Sequence, residues 1–231
     1  MPTVTHKEPL LLSPVTPEDL GQLQVYLPAL KIISYRGPGE SGGVSKSLEP
    51  VVRQLGTKIH WIALSSIPVC EEDQAHGFTF HKPSLPQPVV RGHAQLALEY
   101  LWPLLHGMPE RARFDASNWR AFRQLSELVA TEALRVSTRS FPTICWLHDY
   151  HMALVAPLMS IEAGMVPCQF WHVPWPAPEV MAASPLGREM TAALLANRVL
   201  GFHTTEYATN FLNTVMEVVP GAAVDMLNME V

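Results

Sequence analysis

The sequence predicts an α/β fold with a mostly parallel sheet flanked by helices. From Leu30 onward, short apolar runs of strand type alternate with longer amphipathic segments. Four of these runs end in polar, ligand-capable residues, as strands do when their carboxyl ends share one rim. Hydrophobic residues make up 48% of the 231, enough to bury a substantial core.

Taken in order, residues 1–28 are rich in proline and short apolar fragments and read as a partly ordered extension. The domain proper spans 29–231. Strands are predicted at Leu30–Ser34, Ile59–Leu64, Thr143–Leu147, Cys168–His172 and Arg198–Phe202. A helix over Ser45–Leu55 follows a glycine-rich turn. The three prolines between His81 and Pro88 predict a loop or an edge connection. The clearest helix runs from Asn118 to about Val136, because Phe122, Leu125, Val129, Ala133 and Val136 recur at helical spacing. Asp115 and Ser117 are suitable caps. A second helix is predicted from Met152 to Ala163, ending at Gly164, and a third from Ser184 with Pro185 in its first turn. The last starts near Thr205 and lines up Tyr207, Phe211, Val215 and Val218.

Composition excludes several function classes. Charged residues are 16% and net charge is −5, which argues against a nucleic-acid partner. No apolar run approaches the length of a membrane span. The polar start, Met1 to Glu8, does not resemble a secretory signal. Cys70, Cys145 and Cys168 are scattered and odd in number, which suits a reducing, cytoplasmic setting.

The chemistry is expected beyond the strand ends. After the first strand come Tyr35, Arg36 and the run Gly37 to Gly43. After the third come His148, Asp149, Tyr150 and His151; after the fourth, Val173 to Glu179; after the fifth, His203, Thr204 and Thr205. Backbone N–H groups of the glycine-rich turn could approach a phosphate at the start of the following helix. The turn is not a Walker A loop, because Ser45 rather than glycine precedes Lys46, and it is no useful G-x-G-x-x-G either. An ordinary turn is the alternative. Arg36 is a fixed charge suited to bidentate recognition of phosphate or carboxylate, or to a surface ion pair. His148, His151 and His172 could supply three metal ligands. However, the first two straddle a strand end and no second carboxylate follows, so the chain is read as needing neither metal nor cofactor. The same cluster could hold a His–Asp acid/base pair. Equally, His148 could hydrogen-bond within the sheet while Asp149 caps the next helix. Trp61, Trp102, Trp119, Trp171 and Trp175 could stack on sugar rings or fill the core.

These residues also carry a resemblance to glycosyltransferase family 20, the trehalose-6-phosphate synthases and their relatives. Trp146 to His151 resembles the family's W-[VI]-H-D-Y-H, and Phe170 to Glu179 its F-x-H-[IV]-P-[FW]-P-x-x-E. Leu200 to Tyr207, followed by Phe211-Leu212, is similar to L-[IL]-G-F-x-T-x-E-Y…F-L. Ser34-Tyr35-Arg36 and Ser41-Gly42-Gly43 resemble S-N-R and the S-G-G after it. Order and spacing agree from about Leu30 to the C-terminus.

The resemblance implies the Rossmann-like N-terminal domain of a GT-B glycosyltransferase, which chiefly holds the acceptor while a second domain holds the nucleotide sugar. It places Arg36 on the acceptor phosphate, and lets the backbone at Gly42 and Gly43 approach the donor diphosphate. Asp149 then contacts an acceptor hydroxyl and His172 the donor sugar, so these two are the catalytic candidates. Retention by front-face attack, with the leaving phosphate taking the acceptor's proton, needs no protein nucleophile. Two positions depart from the family pattern. Tyr35 stands for asparagine, and His93, nine residues before the family-like Trp102, stands where the synthases have a phosphate-binding tyrosine. Arg36, His93 and Trp102 are the acceptor-binding candidates. Trp102 to His106 and Phe114 to Trp119 also resemble the glucosylglycerol-phosphate synthases, and Trp61 to Ala63 the pseudoglycosyltransferases. The acceptor is therefore open among glucose 6-phosphate, glycerol 3-phosphate and a cyclitol phosphate, with UDP-glucose or ADP-glucose as donor. No second domain is found in these 231 residues, so the chain by itself is expected to be nearly inactive. Its uncovered cleft face is expected to favour homo-oligomers.

Overall fold

The computed structural model describes residues 29–40, 42–55, 59–64, 78–136 and 142–231. The extension over 1–28, Ser41 and Cys70 lie outside the described residues. Within them, β1 (Ala29–Ser34), β2 (Ile59–Ala63), β3 (Phe78–His81), β4 (Thr143–His148), β5 (Met165–Phe170) and β6 (Val199–Gly201) form one sheet. The order is β3-β2-β1-β4-β5-β6. Every neighbouring pair is parallel, with Leu30 opposite Ile59 on one side and Ile144 on the other.

A parallel sheet is covered on both faces because its crossovers are helices. Residue parity along each strand assigns the faces here. Ile32, Trp61 and Phe80 pack with Leu48 and Val52 of α1 (Gly43–Leu55). Ile33, Ile62, Cys145 and Leu147 pack with Leu125, Val129 and Ala133 of the long helix α4 (Ala116–Arg135). The Asp115 carboxylate caps α4 by accepting from the backbone N–H groups of Ser117 and Asn118. Lys31 shares the parity of Ile33 and is 0% exposed. Its Nζ donates to the Ala133 carbonyl at 2.8 Å, in the last turn of α4, where a cation meets the negative end of the helix dipole.

Residues 87–105 form one rod: α2 (Gln87–Gln95), a π-helical stretch (Leu96–Leu101) and α3 (Trp102–Leu105). Pro103 explains the widening. It has no N–H, and its ring would strike the carbonyl four residues back, that of Glu99. Instead the Trp102 N–H reaches Ala97 five residues back, and the freed Glu99 carbonyl accepts from Arg113 N at 2.7 Å. No helix among the described residues is long and apolar enough to cross a membrane.

Several boundaries differ from the sequence reading. The fourth predicted strand, Cys168–His172, is found earlier, at Met165–Phe170; the Trp171 N–H makes a last bond to the Gly201 carbonyl at 2.9 Å, and its indole Nε1 turns to the Pro174 carbonyl at 3.3 Å. The helix predicted over Met152–Ala163 is a 3₁₀ turn at Tyr150–Met152 and then a short helix, α5 (Ala156–Ser160), begun by Pro157. No helix starts at Ser184. Its hydroxyl accepts from Leu186 N at 3.2 Å, closing a turn between α6 (Pro178–Ala182) and α7 (Gly187–Leu194). The proline-rich stretch holds the end of β3 and the first turn of α2, where Pro88 costs no hydrogen bond. The last helix, α8 (Thr205–Val218), starts as predicted, with Thr204 as its cap.

The turn between α6 and α7 depends on one glycine. A Cβ on Gly187 would lie 1.8 Å from the Met181 carbonyl oxygen, and backbone cannot yield as a side-chain tip can. Gly187→Ala should cost about 3 kcal/mol and lower Tm by roughly 6–12 °C in a thermal unfolding scan. A Tm unchanged from the parent would contradict this packing.

Candidate functional site

The strand order reverses between β1 and β4: the chain leaves β1 toward β2 on one side, while β4 lies on the other. At such a switch point the outgoing loops diverge and leave a crevice beyond the strand ends. A cleft of about 140 Å³ lies there, lined by Tyr35, Arg36, Gly42, Gly43, Val44, Ser45, His148, Asp149 and His151.

The β1 side is held by hydroxyls. Ser34 Oγ accepts from Trp61 Nε1 at 2.8 Å and donates to the Arg36 carbonyl at 2.7 Å, and Ser45 Oγ donates to that carbonyl at 3.1 Å. The glycine-rich turn is tied at Gly37, whose N–H meets Glu40 Oε2 at 2.7 Å, and at Gly39, whose N–H meets Glu49 Oε2 at 3.2 Å. A Cβ on Gly42 would sit 2.9 Å from Arg36 Cδ, so a side chain there would make the arginine shift. At Gly43 a Cβ would meet nothing within 4 Å, leaving the start of α1 open to the cleft. A thirteen-residue helix thus turns its positive end toward the cleft beside Arg36.

The β4 side is strained and dry. Asp149 adopts φ 67° and ψ 170°, a conformation unfavourable for a residue with a side chain. Its N–H donates to the Phe170 carbonyl at 2.9 Å and its carbonyl accepts from Gln169 Nε2 at 3.0 Å. Its carboxylate accepts from Tyr150 N at 2.9 Å. Burial raises the Asp149 pKa to about 6, against the pull of the Tyr150 and His172 N–H groups and of His106 and His203. His148 Nδ1 lies 3.0 Å from His172 Nε2. Burial lowers His148 to about 3, aided by His172, and His172 to about 4, aided by His203, so both rings are neutral at ordinary pH.

Of the residues singled out from sequence, Arg36, Gly42, Gly43 and Asp149 meet on the cleft, and His172 joins them through His148. His93 does not line it. The ring is 0% exposed, stacked against Phe122 at 4.7 Å, behind Tyr35 (5.4 Å) and His151 (5.2 Å). Trp102 stands outside too, 44% exposed on α3, its ring 3.9 Å from that of His106 and 6.5 Å from that of Tyr150. Trp61, Trp119, Trp171 and Trp175 are buried, which removes them as sugar platforms. The sequence reading gave no role to Tyr35's ring, which stacks on His151 at 4.0 Å, or to Gln169. Gln169, a lone amide within an apolar strand, was the available signal. Among the described residues no group of three or more His, Cys, Asp and Glu side chains could hold a metal ion.

Comparison with known proteins agrees with this architecture. The family model of glycosyltransferase family 20 matches residues 37–230. A bifunctional trehalose-6-phosphate synthase/phosphatase of Thermoproteus tenax is 32% identical over 174 residues, covering 71% of this chain and 23% of that protein. The 56 kDa subunit of the UDP-forming α,α-trehalose-phosphate synthase of Saccharomyces cerevisiae is 29% identical over 192 residues, covering 77% of this chain and 38% of that one. The crystal structure of a UDP-forming α,α-trehalose-phosphate synthase from Burkholderia xenovorans, in complex with glucose-6-phosphate, superposes with a TM-score of 0.75 at 21% identity. That match covers 85% of this chain and 45% of that one, and shows the fold. The chain therefore spans less than half the length of these relatives.

The site's titrating groups pull stability in opposite directions. His93 is lowered to about 4 by burial, and His151 well below its usual value. With His148 and His172, these rings take up protons more readily unfolded, so their contribution is complete above about pH 6.5 and is lost as pH falls toward 4. Asp149 has the opposite sign: its folded value of about 6 exceeds the ordinary 3.8, so its cost grows as pH rises from about 4 to 6. Asp149→Asn, which keeps the size of the side chain and adds no backbone strain that aspartate lacks, should stabilise the fold at pH 7.5 by on the order of 2 kcal/mol, with no gain at pH 4. Urea unfolding across that range checks it; a gain of equal size at both pH values would refute the assignment.

Proposed function

The chain belongs to glycosyltransferase family 20, and we propose that residues 29–231 are the acceptor-side half of a retaining glucosyltransferase. The reaction would move glucose from a nucleotide sugar to a phosphorylated acceptor. The observation that carries this reading is the convergence of Arg36, the start of α1 and Asp149 on one cleft at the switch point. A guanidinium and a helix N-terminus together make an anion site, and a carboxylate beside them accepts from hydroxyls.

In this reading Arg36 grips the acceptor phosphate and the backbone at Gly42 and Gly43 faces the donor diphosphate. Asp149 holds the attacking hydroxyl by accepting its hydrogen bond. His172, neutral, offers a ring nitrogen to the donor sugar. The bond from the anomeric carbon to the leaving phosphate breaks as the bond to the acceptor oxygen forms on the same face. The acceptor's proton passes to the leaving phosphate, so no side chain need act as nucleophile. His93 buttresses Tyr35 and His151 from behind, and Trp102 offers an exposed aromatic face near Tyr150. The yeast and Burkholderia relatives are UDP-forming synthases, which supports UDP-glucose as donor.

The bound glucose-6-phosphate of the Burkholderia structure supports that acceptor. The Tyr35–His151 stack favours a second reading. Both rings line the cleft, so aromatic surface stands where the family pattern has an asparagine, and the smaller glycerol 3-phosphate is the competing acceptor.

Calorimetric titration with glucose 6-phosphate and glycerol 3-phosphate tests both readings. One phosphate should bind, and Arg36→Ala should weaken it by about 10- to 100-fold while leaving Tm within a few degrees. Binding of neither, or binding indifferent to Arg36, would count against the acceptor-side assignment.

A further inference from the structure

His148 and His172 touch ring to ring through one nitrogen each, at 3.0 Å. No carboxylate hydrogen-bonds to either imidazole among the described residues, and both rings are neutral at ordinary pH. Two neutral imidazoles in N···N contact share one proton: one ring must donate and the other accept. Only two arrangements are consistent with that.

If His172 donates from Nε2, His148 accepts at Nδ1 and must carry its own proton on Nε2. That nitrogen is buried and has no hydrogen-bond partner among the described residues. This arrangement strands an N–H away from any acceptor, which costs the desolvation of an unmet donor, whereas a bare lone pair there carries no unmet donor. If His148 donates from Nδ1, its Nε2 is only a lone pair, and His172 accepts at Nε2 and carries its proton on Nδ1. Histidine side chains in water favour the Nε2–H form, so the second arrangement is one that the protein must impose. His148 is placed to impose it, being 1% exposed at the end of β4 with its ring packed against that of Trp146. His172 is only partly buried, held between Phe170 at 4.8 Å and His203 at 5.7 Å.

We infer that His148 is a positioning residue that donates through Nδ1 to His172 and so fixes His172 as an Nδ1–H donor at the rim. Resting on the glycosyltransferase reading, its consequence is that His172 meets an oxygen of the bound sugar nucleotide as a donor without carrying charge. A neutral donor can hold a hydroxyl or phosphate oxygen at any pH where the fold is intact.

The test is a long-range ¹H–¹⁵N spectrum of the full chain labelled at histidine, near pH 7.5, with His172 assigned by loss of its signals in His172→Gln. The expected result is a protonated-type Nδ1 and a bare Nε2 for His172. In His148→Phe, which keeps an aromatic ring but has no donor, His172 should move to predominantly Nε2–H. His148→Asn, whose amide can donate from about the place of Nδ1, should keep the Nδ1–H form. A proton on Nε2 of His172 in the parent chain would overturn the inference, and that spectrum decides even if a variant fails to fold. An unchanged His172 tautomer in folded His148→Phe would overturn it too. The outcome is independent of phosphate titration: loss of the Arg36-dependent binding would remove the functional reading and leave the tautomer assignment standing.

Discussion

The pairing of β1 with β4 is the constraint on which the rest of the rim depends. These strands are distant in the chain, yet Ala29 lies opposite Thr143 and Ile33 opposite Leu147. Because β2 and β3 were laid on the other side of β1, the loops after β1 and β4 must part company. Arg36, the start of α1, His148 and Asp149 meet only through that parting. A sheet of the same strands in simple sequential order would scatter them. The crevice is thus a property of topology, and side chains give it its chemistry.

The rim's chemistry is set chiefly by dryness. Burial keeps His93, His148 and His172 neutral and brings one carboxyl close to the protonated form. Asp149 combines an unfavourable backbone conformation with an unfavourable environment, and it persists because Gln169, Phe170 and Tyr150 hold it from three directions. Strain and desolvation concentrated where ligands would bind are the usual mark of a site built at the cost of stability. Toward the opposite end of the sheet Lys31 is buried as well, but there the charge meets the carboxyl end of a helix, so the same dryness serves packing.

Much of the fold was legible in the sequence because its signals are local. Apolar runs located five of the six strands described, and the helical spacing of Phe122, Leu125 and Val129 located α4. What escaped had long-range causes. β3 has four residues and little besides its neighbour β2 to define it. The break after β4 follows from Asp149's backbone, which no propensity announces, and the turn at Ser184 from a hydroxyl–backbone bond. At the site, residue types after strand ends pointed to Arg36, Asp149, Gly42 and Gly43. The burial of His93, an acceptor-binding candidate, behind Tyr35 and His151 was not legible, because a motif position does not say which side chains lie in front of it. Burial of Trp61 was equally invisible, since periodicity does not reveal which face of a strand has a helix over it.

One consequence reaches beyond chemistry. A Cβ at Gly42 would press on the Arg36 side chain, 2.9 Å from its Cδ, so the two positions are coupled. A lineage that gains a side chain at Gly42 has to let the arginine shift to make room. Losing the arginine before the glycine asks for no such shift. Divergence at this rim is therefore directional, and a descendant with a new ligand would record in these two positions which change came first.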